Sequence, residues 1–436
     1  MTAVRAAAGR RTAICAGVDI PAAPLITIDS NHPPCVWHIE SRESPAILMY
    51  APVRKEVRTC YLCPSCIYYI IYVYKGAMSL NHFDAVRYAL EKYELDAMML
   101  TCAPNRLYAT GFASTGTDGL ALVTREKNYY FTDFRYIEAA QEKVAEAEVI
   151  MTDRNRGYSA LVNEAIEHHG LKRIGFEDSY MTVAEWKIYS QKIKAELAPA
   201  AKLMEELRAV KTPEEIASMV AAQRIAERAL EEVKNDLRAG VSEKEIAARL
   251  TYLMLHYGAE NMSFDPIVVS GANGSMPHGV PGEKLIREGE FVTMDFGCIY
   301  EGYCSDMTRT VAIGYATDEM AKVYDTVLCA QEAGIGAARA GVSGKAIDAA
   351  ARDVITAAGY GAYFGHAFGH SLGVEIHESP NASPANEMPM PEGAVISAEP
   401  GIYLPGQFGV RIEDVIVLRQ DGCENITRAD KHLQIL

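Results

Sequence analysis

The chain has 436 residues, 49% of them apolar and 23% charged, a composition that fits a globular protein of two or three domains. Its formal charge of −15 argues against nucleic acid or an anionic membrane as a main partner, since both call for clustered Lys and Arg. The best apolar run, residues 67–74, is far short of the roughly 20 residues of a membrane helix, and residues 1–26 lack the apolar core of a secretory signal.

Residues 1–77 differ in texture from the rest. They carry eight Lys/Arg against five Asp/Glu, a net +3, and so leave −18 for the remainder. They also hold five of the ten cysteines, and the other five are scattered too widely for a disulfide framework. The expectation is reduced thiols and a cytoplasmic protein. Cys60, Cys63 and Cys66 have the look of a metal knuckle without a fourth ligand at ordinary zinc spacing. A disordered or targeting segment is a second reading. The preferred one is an unstructured or non-native extension, with Met78 as the start of the working chain, because Lys75-Gly76-Ala77 can be encoded by a purine-rich tract like a bacterial ribosome-binding site.

Residues 78–203 read as an α/β domain. Asn81 can cap a helix over 81–93 that places Phe83, Val86, Leu90 and Tyr93 on one face. Strands are expected at 97–100, 119–123 and 129–132, with Arg125 to Asn128 turning between the last two. Residues 136–144 and 158–168 have helical spacing. Alternating strands and helices imply a three-layer domain.

A boundary is expected near 204–212. Thr212, Pro213 and Glu215 start a helix with a capping box, with apolar residues from Ile216 to Leu237 on one face, and Ser242 with Glu245 starts the next. Residues 204–436 then repeat themselves. Arg238-Ala239-Gly240-Val241-Ser242 recurs as Arg339-Ala340-Gly341-Val342-Ser343, Gly258 matches Gly359, and Glu288-Gly289 matches Glu392-Gly393. Two copies of a helix–helix–β unit are too few for a solenoid and are expected to face each other about a pseudo-twofold axis.

The duplication places Asp295 and Glu399 at matching points of two apolar strands, each followed by a second acid, Asp306 and Glu413. Four carboxylates brought together would repel strongly unless divalent cations offset them, which is the physical case for a dinuclear centre. His366, His370 and His377 fall within twelve residues just before the second carboxylate strand, among Gly365, Gly369 and Gly373. The glycines permit close backbone approach to a ligand. His278 follows the loop Ser270 to Gly274 in the comparable region of the first half.

These stretches resemble the pita-bread metallopeptidases, which include aminopeptidase P, prolidase and methionine aminopeptidase. The resemblance rests on Met294-Asp295-Phe296-Gly297, Cys304-Ser305-Asp306-Met307-Thr308-Arg309, Gly369-His370-Ser371-Leu372-Gly373, Ile376-His377-Glu378, Ala398-Glu399-Pro400-Gly401 and Val410-Arg411-Ile412-Glu413-Asp414. Residues 105–112 and 131–136 extend it to the amino-terminal domain of the Xaa-Pro branch. It implies an α/β (α+β) fold: a duplicated pita-bread catalytic domain at 204–436 behind a smaller creatinase-like domain at 78–203. It implies metal ligands Asp295, Asp306, His370, Glu399 and Glu413 around two divalent cations, Mn²⁺ in preference to Zn²⁺ or Co²⁺. Glu399 would also handle the proton of the attacking water, His278 or His377 would face the developing oxyanion, and His366 and Arg411 would line the side that holds the penultimate proline. The implied substrate is a peptide with proline at its second position, and the implied assembly is a homodimer. A broad metalloaminopeptidase, a dipeptide-specific prolidase and a catalytically silent binding module are the competing readings.

Overall fold

The computed structural model describes residues 82–436 apart from 113, 115 and 117, together with three earlier strands. The chain divides into two compact units, Met1–Ala77 and Met78–Leu436. In the first, Ile26–Ile28, Val36–Ser41 and Ser44–Tyr50 form an antiparallel meander that no sequence period announces. Cys60, Cys63, Cys66, the run 67–74 and Asn81 lie outside the described residues.

The second unit begins with a helix at Phe83–Lys92, one residue later than the Asn81 cap implies. His82 holds the cap position without a side-chain bond, its Nδ1 tied instead to the Tyr108 carbonyl at 2.9 Å. A six-stranded sheet follows, built from Ala97–Leu100, Leu120–Thr124, Asn128–Thr132, Glu148–Met151, Arg173–Phe176 and Glu196–Pro199. It is mixed: the first three strands pair antiparallel, the others parallel. Met98, Leu100, Ala121 and Val123 pack on one face with Phe83 and Leu90, while Ala97, Met99, Leu120 and Leu122 pack on the other with Leu161 and Ile166. Helices thus cover both faces, as expected of three layers. Burial on both sides also accounts for the continuously apolar sequence of these strands. The helix Ala201–Ala209 leads from this sheet toward Pro213–Val233, whose capping box at Thr212 and Glu215 forms as expected. That long helix ends at Val233, four residues before Leu237, which is buried beyond it.

The repeat has a close structural counterpart. Helices Pro213–Val233 and Glu243–His256 correspond to Asp318–Ala337 and Gly344–Ala357. Gly240 donates its N–H to Ile286 and Gly341 to Met390, and the carbonyls of Val241 and Val342 accept from the same two residues in return. Ser242 bridges Leu285, and Ser343 bridges Pro389. Gly240 and Gly341 both have positive φ, 94° and 82°, a region that suits glycine. Each half has its own apolar core, one around Leu230, Leu250 and Met294, the other around Val323, Ile347 and Ile396. The halves meet along a polar seam. Thr293 and Asp295 of strand Phe291–Phe296 register against Thr310 and Thr308 of Met307–Ala312, so these four face one side while Val292, Met294 and Phe296 face the core. Among the described residues no helix is long and apolar enough to cross a membrane.

Candidate metal centre

Each acid of the seam is delivered by a strand or strand end that the cores hold rigid. Asp295 is the fifth residue of Phe291–Phe296, and Asp306 immediately precedes Met307–Ala312. His370 is the middle residue of the short strand Gly369–Ser371. Glu399 follows Val395–Ala398, its N–H donated to the Phe368 carbonyl at 2.8 Å. Glu413 sits between Phe408–Arg411 and Asp414–Arg419, its N–H donated to the Thr308 carbonyl at 3.1 Å. The last contact stitches the two halves together at the site itself. Gly369 has no room for a side chain, since a Cβ there would lie 1.9 Å from the Ser397 carbonyl oxygen, whereas a Cβ on Gly365 would meet nothing within 4 Å.

Asp306, His370 and Glu413 each offer one ligand atom, all within 4.8 Å of one another. His370 Nε2 also lies 3.3 Å from Glu399 Oε1 and 3.6 Å from Asp306 Oδ2. The other ring nitrogen, Nδ1, lies 3.1 Å from the Ser371 carbonyl, which can only accept; Nδ1 therefore carries the proton and Nε2 keeps its lone pair. Burial holds the His370 pKa below the usual imidazole value, which also favours that neutral form. Asp295 reaches the group from the side, with Oδ2 accepting from Arg411 Nη2 at 2.6 Å.

The electrostatics are costly as they stand. Asp306 and Glu413 are raised well above ordinary carboxyl values, first by burial and then by neighbouring carboxylates, Asp295 and Glu399 around Asp306, Asp306 and Glu399 around Glu413. Glu399 is raised too, by burial, although His366 and Arg411 oppose the shift. Asp295 Oδ1, Asp306 Oδ1 and Glu413 Oε1 are buried without a hydrogen-bond partner. Orphaned carboxylate oxygens beside a neutral imidazole lone pair form a donor set that suits a divalent cation and little else.

The remaining sequence candidates occupy distinct places. Arg411 is buried, and its guanidinium is spent on Asp295, Thr308 Oγ1, the Tyr403 hydroxyl and the Pro277 carbonyl. His366 Nε2 lies 2.9 Å from the Tyr403 hydroxyl. His377 is exposed, its ring 4.4 Å from that of His370. His278 is exposed as well. The sequence by itself assigned no role to Tyr403 or Thr308. Tyr403 joins His366 to Arg411, and Thr308 donates to Glu413 Oε2 at 2.7 Å. Thr308 was within reach, because strand alternation puts it on the face of Asp306 and opposite Asp295; nothing local marks Tyr403.

Comparison with known proteins agrees with this picture. Residues 217–420 match Metallopeptidase family M24 and residues 83–210 match the Creatinase/Prolidase N-terminal domain. An uncharacterized peptidase of Bacillus subtilis is 43% identical over 78% of this chain and 96% of its own length. Among solved structures, an Xaa-Pro dipeptidase from Bacillus anthracis is 39% identical with a TM-score of 0.77, covering 81% of this chain and 99% of that one. An X-Pro aminopeptidase from Thermotoga maritima is 34% identical with a TM-score of 0.77, covering 82% and 100%. With a duplicated fold, a carboxylate–imidazole centre and relatives that span nearly their whole length, the chain belongs to metallopeptidase family M24 and is a metal-dependent peptide hydrolase.

Proposed function

We propose that the chain removes the first residue from peptides with proline in the second position. Two divalent cations, Mn²⁺ by preference, would be held by Asp295, Asp306, His370, Glu399 and Glu413. The observation that carries the reading is the close grouping of Asp306, His370 and Glu413, in a site where Asp295, Asp306 and Glu413 each keep a buried carboxylate oxygen without a hydrogen-bond partner. Support for the proline preference comes from the Xaa-Pro dipeptidase and X-Pro aminopeptidase that share the fold along their whole length. The domain division at about 203–204 and the homodimer belong to the same proposal.

The cations, when bound, would neutralise the carboxylates, polarise the scissile carbonyl and lower the pKa of a nearby water. The chain's own groups do the rest. Glu399 Oε1 is held by Ser397 Oγ at 3.0 Å, which leaves its second oxygen to take the water's proton and pass it to the leaving nitrogen. His377 or His278, both exposed, supplies the donor for the developing oxyanion. Arg411, held from four sides, keeps Asp295 in place and turns the Tyr403 hydroxyl toward His366 on the wall that faces the proline. Xaa-Pro bonds lack the N–H on which ordinary peptidases depend, so a wall shaped to the ring gives the selectivity.

The test is hydrolysis of Ala-Pro-Ala, Ala-Pro and Ala-Ala-Ala by Mn²⁺-loaded protein against a chelated control. Cleavage of Ala-Pro-Ala alone identifies an aminopeptidase P, and of Ala-Pro alone a prolidase. Turnover of Ala-Ala-Ala as readily as the others would refute the proline preference.

A further inference from the structure

We infer that Asp348 and Arg352, on the outer helix Gly344–Ala357, are positioning residues that hold the His366 loop and Glu399 in register. The inference rests on the reading of His366 as a site residue. Asp348 and Arg352 are one helical turn apart and make a two-pronged ion pair, Arg352 Nε to Asp348 Oδ2 at 2.7 Å and Nη2 to Oδ1 at 2.9 Å. An i,i+4 pair on a helix surface is ordinarily worth little. This one is turned inward: Asp348 is 1% exposed and both partners continue into the loop. Arg352 donates from Nη1 to the Phe364 carbonyl at 2.9 Å and from Nη2 to the carbonyl of His366 itself at 2.7 Å. Asp348 Oδ1 accepts the Phe368 N–H at 2.9 Å, and the Phe368 carbonyl in turn accepts the Glu399 N–H.

Three backbone groups within five residues are thus fixed from a single helix turn, and a fourth bond carries the constraint on to Glu399. The Phe368 ring gives a separate anchor. It lies so close over Gly334 of the neighbouring helix that a Cβ there would come within 2.2 Å of it. With the loop fixed, His366 Nδ1 is 2.9 Å from the Ala367 carbonyl, an acceptor, and so carries the proton. Nε2 is left to accept from Tyr403, which accepts in turn from Arg411. The Arg352 clamp therefore sets both the direction and the tautomer of the His366 ring.

The first half of the duplication has a corresponding device. Buried Glu243, at the start of helix Glu243–His256, accepts from the N–H of Ser270 at 2.7 Å and of Gly282 at 3.3 Å and from the Asn273 side chain. It spans the base of the loop that carries Pro277 and His278. In each half a carboxylate on the second helix fastens the loop bearing a histidine that is not among the expected ligands. The sequence repeat does not reveal this, because the two carboxylates are not at matching positions.

The experiment is a double-mutant cycle of Arg352→Ala and His366→Ala in the full chain, on whichever peptide the wild type cleaves, with bound metal measured in every variant. Arg352→Ala should lower kcat roughly 10- to 100-fold at unchanged metal content, since small misplacements of a site group cost that much. In the His366→Ala background the same change should cost less than about threefold, because groups that act through one another are not additive. Added guanidinium should restore part of the activity of Arg352→Ala. Equal losses in both backgrounds would overturn the inference, as would full activity of His366→Ala, which would also remove His366 from the site. An activity-independent check is the ¹⁵N signal of the His366 imidazole: a single Nδ1–H tautomer in the wild type should give way to a mixture in Arg352→Ala and in Arg352→Lys, whose single ammonium cannot reach both carbonyls. An unchanged signal in both would refute the clamp even if no peptide were cleaved.

Discussion

Replacing Asp306 by Asn should stabilise the metal-free protein while abolishing its response to metal. Asp306 is buried, its Oδ1 has no partner, and Asp295 and Glu399 raise its pKa further after burial has done so. At neutral pH the metal-free site must either bury an uncompensated charge or take up a proton, and each pKa unit of that displacement costs about 1.4 kcal/mol. A neutral amide of the same shape removes the charge, so the gain is on the order of 1–3 kcal/mol, the range for an unsatisfied buried group. That corresponds to a melting temperature roughly 2–12 °C higher for a domain of this size. The direction with pH follows from the sign of the shift. A carboxyl whose folded pKa is raised contributes stability that is fully present below its unfolded pKa of about 3.9 and is lost as pH rises toward the folded value. The advantage of the variant should therefore be near zero at about pH 4 and grow toward about pH 8. Metal reverses the order: at a hundred times its dissociation constant it adds about 2.7 kcal/mol to the wild type, and nothing comparable to the variant. Thermal melts of both proteins with chelator and with Mn²⁺, across that pH range, decide the matter. A metal-free variant that melts below the wild type at pH 8, or equal stabilisation of both by Mn²⁺, would refute the reasoning.

Glu399→Gln should lower kcat at least about 100-fold on Ala-Pro-Ala, because a neutral amide cannot carry the proton; steady-state kinetics with metal analysis measure it. His370→Ala should lose metal and activity together, since it removes the imidazole lone pair among three carboxylates, and near-normal metal content by elemental analysis would contradict the assignment. Glu378 is buried between Arg208 Nη2 at 2.6 Å and Lys211 Nζ at 3.0 Å, and these two cations hold its pKa below the usual value against the effect of burial. Its contribution is present above about pH 4.5 and is lost as pH falls through the lower folded value, so Glu378→Gln should flatten the acid limb of the stability curve. The same variant should cost roughly 3–5 kcal/mol at neutral pH by leaving buried Lys211 without a carboxylate, while Arg208 keeps Glu375, read by urea unfolding. Gly369→Ala should misplace His370, because the new methyl would overlap the Ser397 carbonyl, and weakened metal binding by calorimetry is the expected result.

The periodic and punctuated parts of the fold were legible in the sequence, as Thr212 and Ser242 show: each caps its helix with the acid three residues on, through bonds that need no distant partner. The strands at Glu148–Met151, Arg173–Phe176 and Glu196–Pro199 were not legible. They are four residues each, and two run along the outer edges of the sheet, where their pairing with remote strands rather than any local pattern defines them. Residues 81–93 show the same limit at a helix end, where His82 is fixed by the Tyr108 carbonyl, 26 residues away.

For the site, the duplicated sequence by itself drew attention to Asp295, Asp306, Glu399 and Glu413, because charge repeated at matching points of two apolar strands is too costly to keep without a cation or a partner to offset it, while His370 was singled out from the histidine cluster only by the family resemblance. Only the tertiary structure decided which of them converge, which oxygens go unpartnered, and that Arg411 is spent inside the site. It alone disclosed the Arg352 clamp and the Tyr403 relay. The physical reason is that each of these depends on groups brought together across the seam between the halves or across a helix and a distant loop. Asp295 and Arg411 are 116 residues apart, and Thr308 and Glu413 105 apart. A strand period records which face a residue takes, but not which distant partner waits on that face.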